Sequence, residues 1–172
     1  MASAPSGRER LALCVLVVVL LGLVGWSGAA AQSPSAADAC KAGFHTAGGK
    51  LFRTYCGPAS ATVHVAGRTI AFRGGLCAFE GAFKVSIGTL LIASTGAVPS
   101  YFVLTVQAYA DGTYRNGQNG GTVRVVVAYS SAGKPYGTYQ DVVTLRGNMK
   151  RGTFSGRLLD NGERLTGSFS CR

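Results

Sequence analysis

Two histidines, a few carboxylates and five cysteines are the side chains of this sequence that could carry chemistry. Catalysis of the Ser/His/Asp type would have to use His45 or His64, with a serine such as Ser60 as the nucleophile. The sequence has no G-x-S-x-G motif to expose that serine at a strand-to-helix turn. His64 stands between Val63 and Val65 in an alternating stretch, which predicts that it faces solvent from a strand.

The carboxylates also show no pattern that indicates a catalytic site. Glycoside hydrolysis needs two acids that flank a cleft. Three of the five candidates stand beside turn glycines, where acids bind the backbone; the five are Glu80, Asp111, Asp141, Asp160 and Glu163. The sequence therefore predicts no catalytic residues, no cofactor and no enzyme, and a small secreted hydrolase is the weaker alternative.

The first 31 residues have the organisation of a secretory leader. Arg8 and Arg10 precede the apolar run 11–24 (LALCVLVVVLLGLV), and three alanines precede Gln32 as a small-residue cleavage site. The whole stretch 11–31 is uncharged, so an uncleaved membrane anchor is the alternative. In both cases we expect the remainder to be exported, either secreted or held at the cell surface.

Cys14 belongs to the leader, and an even set of four cysteines remains beyond it. An even set in an exported domain predicts two disulfides, with three possible connectivities. We favour a short bridge that closes an amino-terminal loop and a long one that ties the last strand back across the domain. A zinc site is disfavoured because the sequence has no C-x-x-C pair. The favoured pairs are Cys40–Cys56 and Cys77–Cys171.

Period-2 alternation of apolar residues dominates the chain after residue 61. It recurs in seven stretches, beginning near Val63, Phe83, Phe102, Val123, Val143, Phe154 and Leu165. Ala66-Gly67 and Asn161-Gly162 are hairpin turn signals. The pattern predicts one all-β domain over 62–172, an antiparallel sandwich or barrel of about eight to ten strands. Residues 32–61 are expected to be a tether and a disulfide-pinned loop.

Positive charge and tyrosines suggest where a ligand could bind. Residues 32–172 carry 15 Lys/Arg against six Asp/Glu, a net charge of +9, which favours anionic partners. Envelope polymers, glycans and membrane surfaces are therefore expected partners, whereas nucleic acid is not. The alternative is that these cations merely solvate strand faces and block edge pairing. The candidate ligand-binding residues are Tyr114, Arg115, Lys134, Tyr136, Lys150 and Arg151.

Those six candidates come from three places in the sequence. Lys150 and Arg151 belong to the densest basic cluster, 148–151. The other four belong to the tyrosine-flanked loops 111–121 and 130–138, which would suit a glycan or protein ligand if both loops lie at one end of the domain.

Two segments resemble the mycobacterial lipoprotein antigen family. They are residues 65–88 (VAGRTIAFRGGLCAFEGAFKVSIG) and 154–171 (FSGRLLDNGERLTGSFSC). The resemblance implies a leader, a polar tether and a small cell-envelope β-domain without established enzymatic chemistry, and it matches Cys77 and Cys171 to the family's disulfide. The chain departs from the family in lacking a lipobox cysteine and in having Cys40 and Cys56. Acylation is therefore not carried over.

Together these observations predict an exported, non-catalytic β-domain of the cell envelope, with a structural or ligand-binding role. A binding module for anionic polymers, glycans or lipid headgroups is the first alternative. The oligomeric state is left open.

Overall fold

The computed structural model describes residues 40–93, 98–118 and 124–172. The predicted leader, with its cleavage site or anchor, lies outside these residues. Within them the chain forms strands and turns and no helix. The eleven strands are β1 (Gly43–Ala47), β2 (Lys50–Tyr55), β3 (Ala59–Val65), β4 (Arg68–Phe79), β5 (Phe83–Ala93), β6 (Tyr101–Val106), β7 (Gly112–Arg115), β8 (Val125–Ser131), β9 (Lys134–Arg146), β10 (Arg151–Leu158) and β11 (Arg164–Ser170).

Eight of these strands form a closed antiparallel barrel. The order around the wall is β5, β4, β3, β11, β10, β9, β8 and β6, and β6 pairs with β5 to complete the circle. Because the sheet closes on itself, each of the eight strands has a neighbouring strand on both sides. The predicted all-β antiparallel fold is confirmed, and of the two closures expected the structure has the barrel.

The amino-terminal segment departs from the prediction. Residues 41–50 were expected to be loop, but β1 and β2 form a hairpin there, and β2 pairs with residues 88–93 of β5. The expectation was wrong because pairing with a distant strand, rather than an alternating local pattern, makes these residues extended. The first barrel strand also begins at Ala59, three residues before the expected boundary at 62.

The barrel interior is filled by the alternating residues that the sequence identified. Val63, Val85, Leu104 and Val143 are fully buried, and none of the four exposes more than 1 % of its surface. The largest side chains that are less than 2 % exposed are Tyr129, Phe102, Ile87, Leu104, Leu145 and Leu165, and the core also holds Phe72, Phe83, Phe154 and Phe169. The predicted inward faces are thus confirmed for the described residues, and Val123 lies outside them.

Glycines allow the aromatic rings to fit inside this small barrel. A Cβ on Gly167 would overlap the ring of Phe154 and the carbonyl of Thr62, and a Cβ on Gly152 would overlap the ring of Phe169. Both glycines face inward on β10 and β11. The core therefore depends on these positions having no side chain.

Disulfides join Cys40 to Cys56 and Cys77 to Cys171, the pairing that the sequence favoured. The first pins the base of the β1–β2 hairpin, and the second joins β4 to the residue after β11. Closure of a loop with a sequence separation of 94 could contribute about 4–5 kcal/mol in the chain-entropy model. Such bridges are compatible with an oxidising, exported environment.

Candidate functional site

The described residues of the two tyrosine-flanked loops lie apart along β9. Tyr114 and Arg115 lie in β7 and pair with Val143 and Val142, near the end of β9. Tyr136 lies near the start of the same strand, seven residues before Val143, which is about 23 Å at 3.3 Å per residue. The described structure therefore does not bring Tyr114 and Arg115 together with Lys134 and Tyr136.

Lys134 and Tyr136 have packing partners of their own. The Lys134 ammonium lies 3.1 Å from the Asp160 carboxylate and 5.0 Å from the centre of the Tyr136 ring. Tyr136 in turn stacks on Tyr129 with the ring centroids 4.8 Å apart. Burial is the main cause that raises the pKa of Tyr129 to about 12. These contacts close one end of the barrel, which we call the Tyr136 end.

Lys150 and Arg151 lie at the other end, beside a turn that a carboxylate holds in place. Asp111 accepts hydrogen bonds from the backbone N–H groups of Asn148, at 3.1 Å, and Met149, at 2.7 Å. Both turn residues have positive φ, 58° and 61°, so their N–H groups form a small concave anion site that Asp111 fills. The Met149 N–H, above all, holds the pKa of Asp111 below its usual value. This end, with the β4–β5 turn and the chain after β11, is the Cys171 end.

The outer side of the wall carries a feature that the sequence did not reveal. On β3, β4, β7, β9, β10 and β11 the outward residues form rows across the strands. One row places Thr113, Thr144, Thr153, Ser168 and Thr62 next to one another, and the Thr113 and Thr144 hydroxyls are 2.9 Å apart. The adjacent row continues with Ser155, Thr166, His64 and Thr69. The centre of this surface is a polar floor of hydroxyl groups.

Arginines surround that floor. Arg146 lies directly opposite Arg151, and Arg157 lies directly opposite Arg164. Arg73 and Arg115 continue the border on β4 and β7. All six guanidinium-bearing residues are exposed, and none of them forms an ion pair within the described residues. We call the six arginines with the hydroxyl floor the arginine face.

No acidic side chain points outward from the strands of this face. Each of the five acids in the described part of the chain lies elsewhere. Glu80 pairs with Lys84, Asp160 pairs with Lys134, and Asp141 points inward. Asp111, which is close enough for Arg146 to lower its pKa, is bound to the 148–149 turn, and Glu163 lies in the turn before β11. The positive charge of the face is therefore largely uncompensated.

His64 stands in the middle of this open surface. Its side chain is exposed, and its Nδ1 lies 3.0 Å from the Thr69 hydroxyl. The predicted solvent-facing position is confirmed. The depression beside it is shallow, about 380 Å³, and is lined by Thr144, Thr153, Ser155, Thr166 and Ser168, without a carboxylate. This arrangement gives a hydrolase interpretation no support, and the absence of catalysis stays a prediction.

Asp141 is the one buried acid. Only 1 % of it is exposed, and it lies where β9 bulges so that Gln140 and Asp141 face the single residue Gly156. A Cβ on Gly156 would overlap Asp141 Oδ1, which has no hydrogen-bond partner in the described structure. Burial raises the pKa of this carboxyl to about 6, opposed by the Thr138 hydroxyl and the Val127 backbone.

Burial is the cause that favours the neutral form of Asp141, because its Oδ1 has no hydrogen-bond partner that could compensate a buried charge. The Thr138 hydroxyl, which donates to the Val127 carbonyl at 2.6 Å, and the Val127 backbone only oppose this shift of the pKa. The sequence analysis considered Asp141 only as a possible catalytic acid and did not predict its burial. The alternation of Val143 and Leu145 could have indicated it, because Asp141 stands two residues before Val143 and so faces the same side of β9.

Within residues 40–93, 98–118 and 124–172, no three His, Cys, Asp or Glu side chains come together in a way that could hold a metal ion. The same residues contain no helix long and apolar enough to cross a membrane.

Comparison of the chain with protein-family models, with curated proteins and with solved structures finds no match. The resemblance to the mycobacterial lipoprotein antigen family therefore stays a prediction.

Proposed function

We propose that this protein is an exported, non-catalytic binding domain whose arginine face takes an anionic glycan polymer. The observation that carries the proposal is the pairing of Arg146 with Arg151 and of Arg157 with Arg164 across neighbouring strands, without an outward acid among them. Like charges directly opposite one another destabilise a sheet. A partner that supplies negative charge would turn this local cost into binding energy.

Edge protection does not account for these arginines. Lysine and arginine often stand on exposed edge strands, where they prevent pairing with other chains. Strands β10 and β11, however, are paired on both sides within the wall. Their arginines cannot serve that purpose.

The shape of the face favours an extended polymer. Arg151 and Arg157 are six residues apart on β10, about 20 Å along the strand, so the two arginine pairs border the two ends of the hydroxyl floor. Guanidinium groups bind carboxylate, sulfate or phosphate groups with two hydrogen bonds. The serine and threonine hydroxyls between them can both donate to and accept from sugar hydroxyls.

Export supports the choice of partner. The two disulfides suit an oxidising compartment, where anionic polysaccharides are available and nucleic acid is not the expected ligand. The net positive charge of the chain, with 17 Lys/Arg against seven Asp/Glu, would also steer it towards such polymers.

A matched pair of probes tests the proposal: dextran sulfate and neutral dextran, which share a backbone. We expect the protein to bind dextran sulfate, to release it as salt rises and to ignore neutral dextran. Arg151→Ser with Arg164→Ser, one arginine from each pair, should weaken binding at least about tenfold, because charged hydrogen bonds are lost.

The control removes the same charge from the hairpin, with Lys41→Ser and Lys50→Ser. This variant should retain nearly all of the affinity for dextran sulfate. Equal losses in both double variants would show that net charge alone, and not the arginine face, determines binding, and would refute the proposal.

A further inference from the structure

The Cys171 end of the barrel carries an exposed aromatic pair that neither the core nor the arginine face uses. Phe79 is 50 % exposed and Tyr109 is 76 % exposed, and their ring centroids lie 5.4 Å apart. They come from different parts of the chain, the end of β4 and the segment after β6. Adjacent exposed rings form a contiguous apolar patch, which is a candidate interaction surface.

An open groove of about 580 Å³ lies against the same end. Phe79, Phe83 and Met149 line it together with the Cys77–Cys171 disulfide, and Lys150 and Arg172 provide its cations. Glu80, beside Phe79, is already paired with Lys84 at 2.8 Å, and the Asp111 carboxylate is bound to the neighbouring turn. The groove is thus lined mainly by apolar side chains and carries two cations.

The arginine face differs from this end in one respect that matters. Of the large exposed hydrophobic residues, only Phe79 lies on a described strand of that face, and it stands at the far end of β4, outside the rows of arginines and hydroxyl groups. A hydrated anionic polymer therefore suits the arginine face, whereas a partner with an apolar interior and a negatively charged surface suits the Cys171 end.

We propose that the Cys171 end docks onto an anionic lipid bilayer. Phe79 and Tyr109 would enter the interface between headgroups and acyl chains, the position that amphipathic aromatic rings prefer. Lys150 and Arg172 would contact the anionic headgroups, whose surface potential attracts cations close to the membrane. Charge complementarity selects this occupant over a second copy of the chain, which would bring the same cations together.

Depth-sensitive tryptophan fluorescence tests the proposal. The protein can be used with or without its predicted leader. The one tryptophan, Trp26, belongs to the predicted leader, so Trp26→Phe gives a background without it. Phe79→Trp then places a reporter at the Cys171 end. Leu159→Trp places the matched control at the Tyr136 end, where Leu159 is 68 % exposed.

Vesicles of phosphatidylglycerol with brominated acyl chains should quench the fluorescence at position 79 and leave that at position 159 unchanged. Salt of about 1 M should abolish the quenching, and vesicles of brominated phosphatidylcholine should cause none. Tyr109→Trp in the same background is a second reporter, with the same expectation, in case the Phe79 variant does not fold. Arg164→Ser, on the wall, should leave the signal intact.

Quenching at both ends, or at neither end, would overturn the proposal. So would equal quenching by neutral vesicles. Loss of the signal on Arg164→Ser would assign the bilayer to the arginine face instead. Failure to bind dextran sulfate, in contrast, affects only the proposed glycan function.

Discussion

Strands β10 and β11 have two sides that meet very different demands. Their inner side must fit a closed core, and there phenylalanine and leucine alternate with glycines that cannot accept a Cβ. Their outer side meets solvent, and of Arg151, Arg157 and Arg164 only Arg157 has a described side-chain hydrogen bond to the fold, to the Gly162 carbonyl. The types of the inner residues are therefore explained by core packing. The types of the outer residues are not constrained by packing and can instead indicate function.

The difference between the inner and the outer side should be largest for a substitution at Gly167. Gly167→Val should lower the free energy of unfolding by at least about 3 kcal/mol, because its side chain would overlap the Phe154 ring and the Thr62 carbonyl. Denaturant unfolding measures the loss. The neighbouring Ser168→Ala, on the outer side, should change stability by no more than about 0.5 kcal/mol. Similar losses for both would contradict the difference between the sides.

The buried carboxyl of Asp141 gives the next largest effect, and it depends on pH. Its folded pKa of about 6 lies above the ordinary 3.8, so between these values the folded protein holds a proton that the unfolded chain has released. Stability should therefore fall as pH rises from about 4 to 6 and stay level above. Asp141→Asn should remove that fall, on the order of 2 kcal/mol.

Urea unfolding at pH 4, 6 and 8 measures this difference between the parent and the Asp141→Asn variant. Asp160→Asn, a change at an exposed acid, is the control for general charge effects. A parent protein that gains stability relative to Asp141→Asn between pH 4 and 6 would contradict the assignment of a neutral buried carboxyl.

A smaller effect, of opposite sign, is expected on the outer side. Arg164→Ser removes one of two facing arginines and leaves the Arg157 hydrogen bond to the Gly162 carbonyl in place. It should raise the free energy of unfolding by about 0.5 kcal/mol while weakening binding to dextran sulfate. Lower stability together with unchanged binding would show that this arginine serves the fold.

The smallest effect is expected at the centre of the hydroxyl floor. Thr153→Ala should leave the unfolding free energy within about 0.5 kcal/mol, because its side chain is exposed. Isothermal titration with dextran sulfate should show a modest loss of affinity. A large loss of stability would mean that the floor helps to hold the wall.

The sequence predicted the inner side well and the outer side poorly, for a physical reason. Alternation at Val63 and Val65, or at Leu165 and Phe169, directly identifies which residues face the core. The meeting of Arg157 with Arg164, or of Thr153 with Ser168, depends on the register between strands. A single sequence predicts the register between strands only weakly. The pairing of the arginines across neighbouring strands could therefore not be predicted.

Long-range pairing also explains the other errors. The β1–β2 hairpin is held by β5 beyond Gly88, where β5 continues past the barrel, and its own residues show no alternation. Tyr114 and Tyr136 could share a site only if their two loops lay at one end of the domain, whereas the two tyrosines lie near opposite ends of β9. The disulfide pairing could be favoured in advance because one bridge closes the amino-terminal loop, the other ties the last strand back across the domain, and the family resemblance also matches Cys77 with Cys171.

The position of β11 in the wall has a consequence for when the protein can fold. The last strand lies between β10 and β3, and Leu165 pairs with Val65 across 100 residues of sequence. The wall therefore cannot close until nearly the whole chain has left the ribosome, and contacts of such high sequence separation form slowly. An exported chain built this way could cross a membrane as an open polypeptide and close its barrel only on the far side.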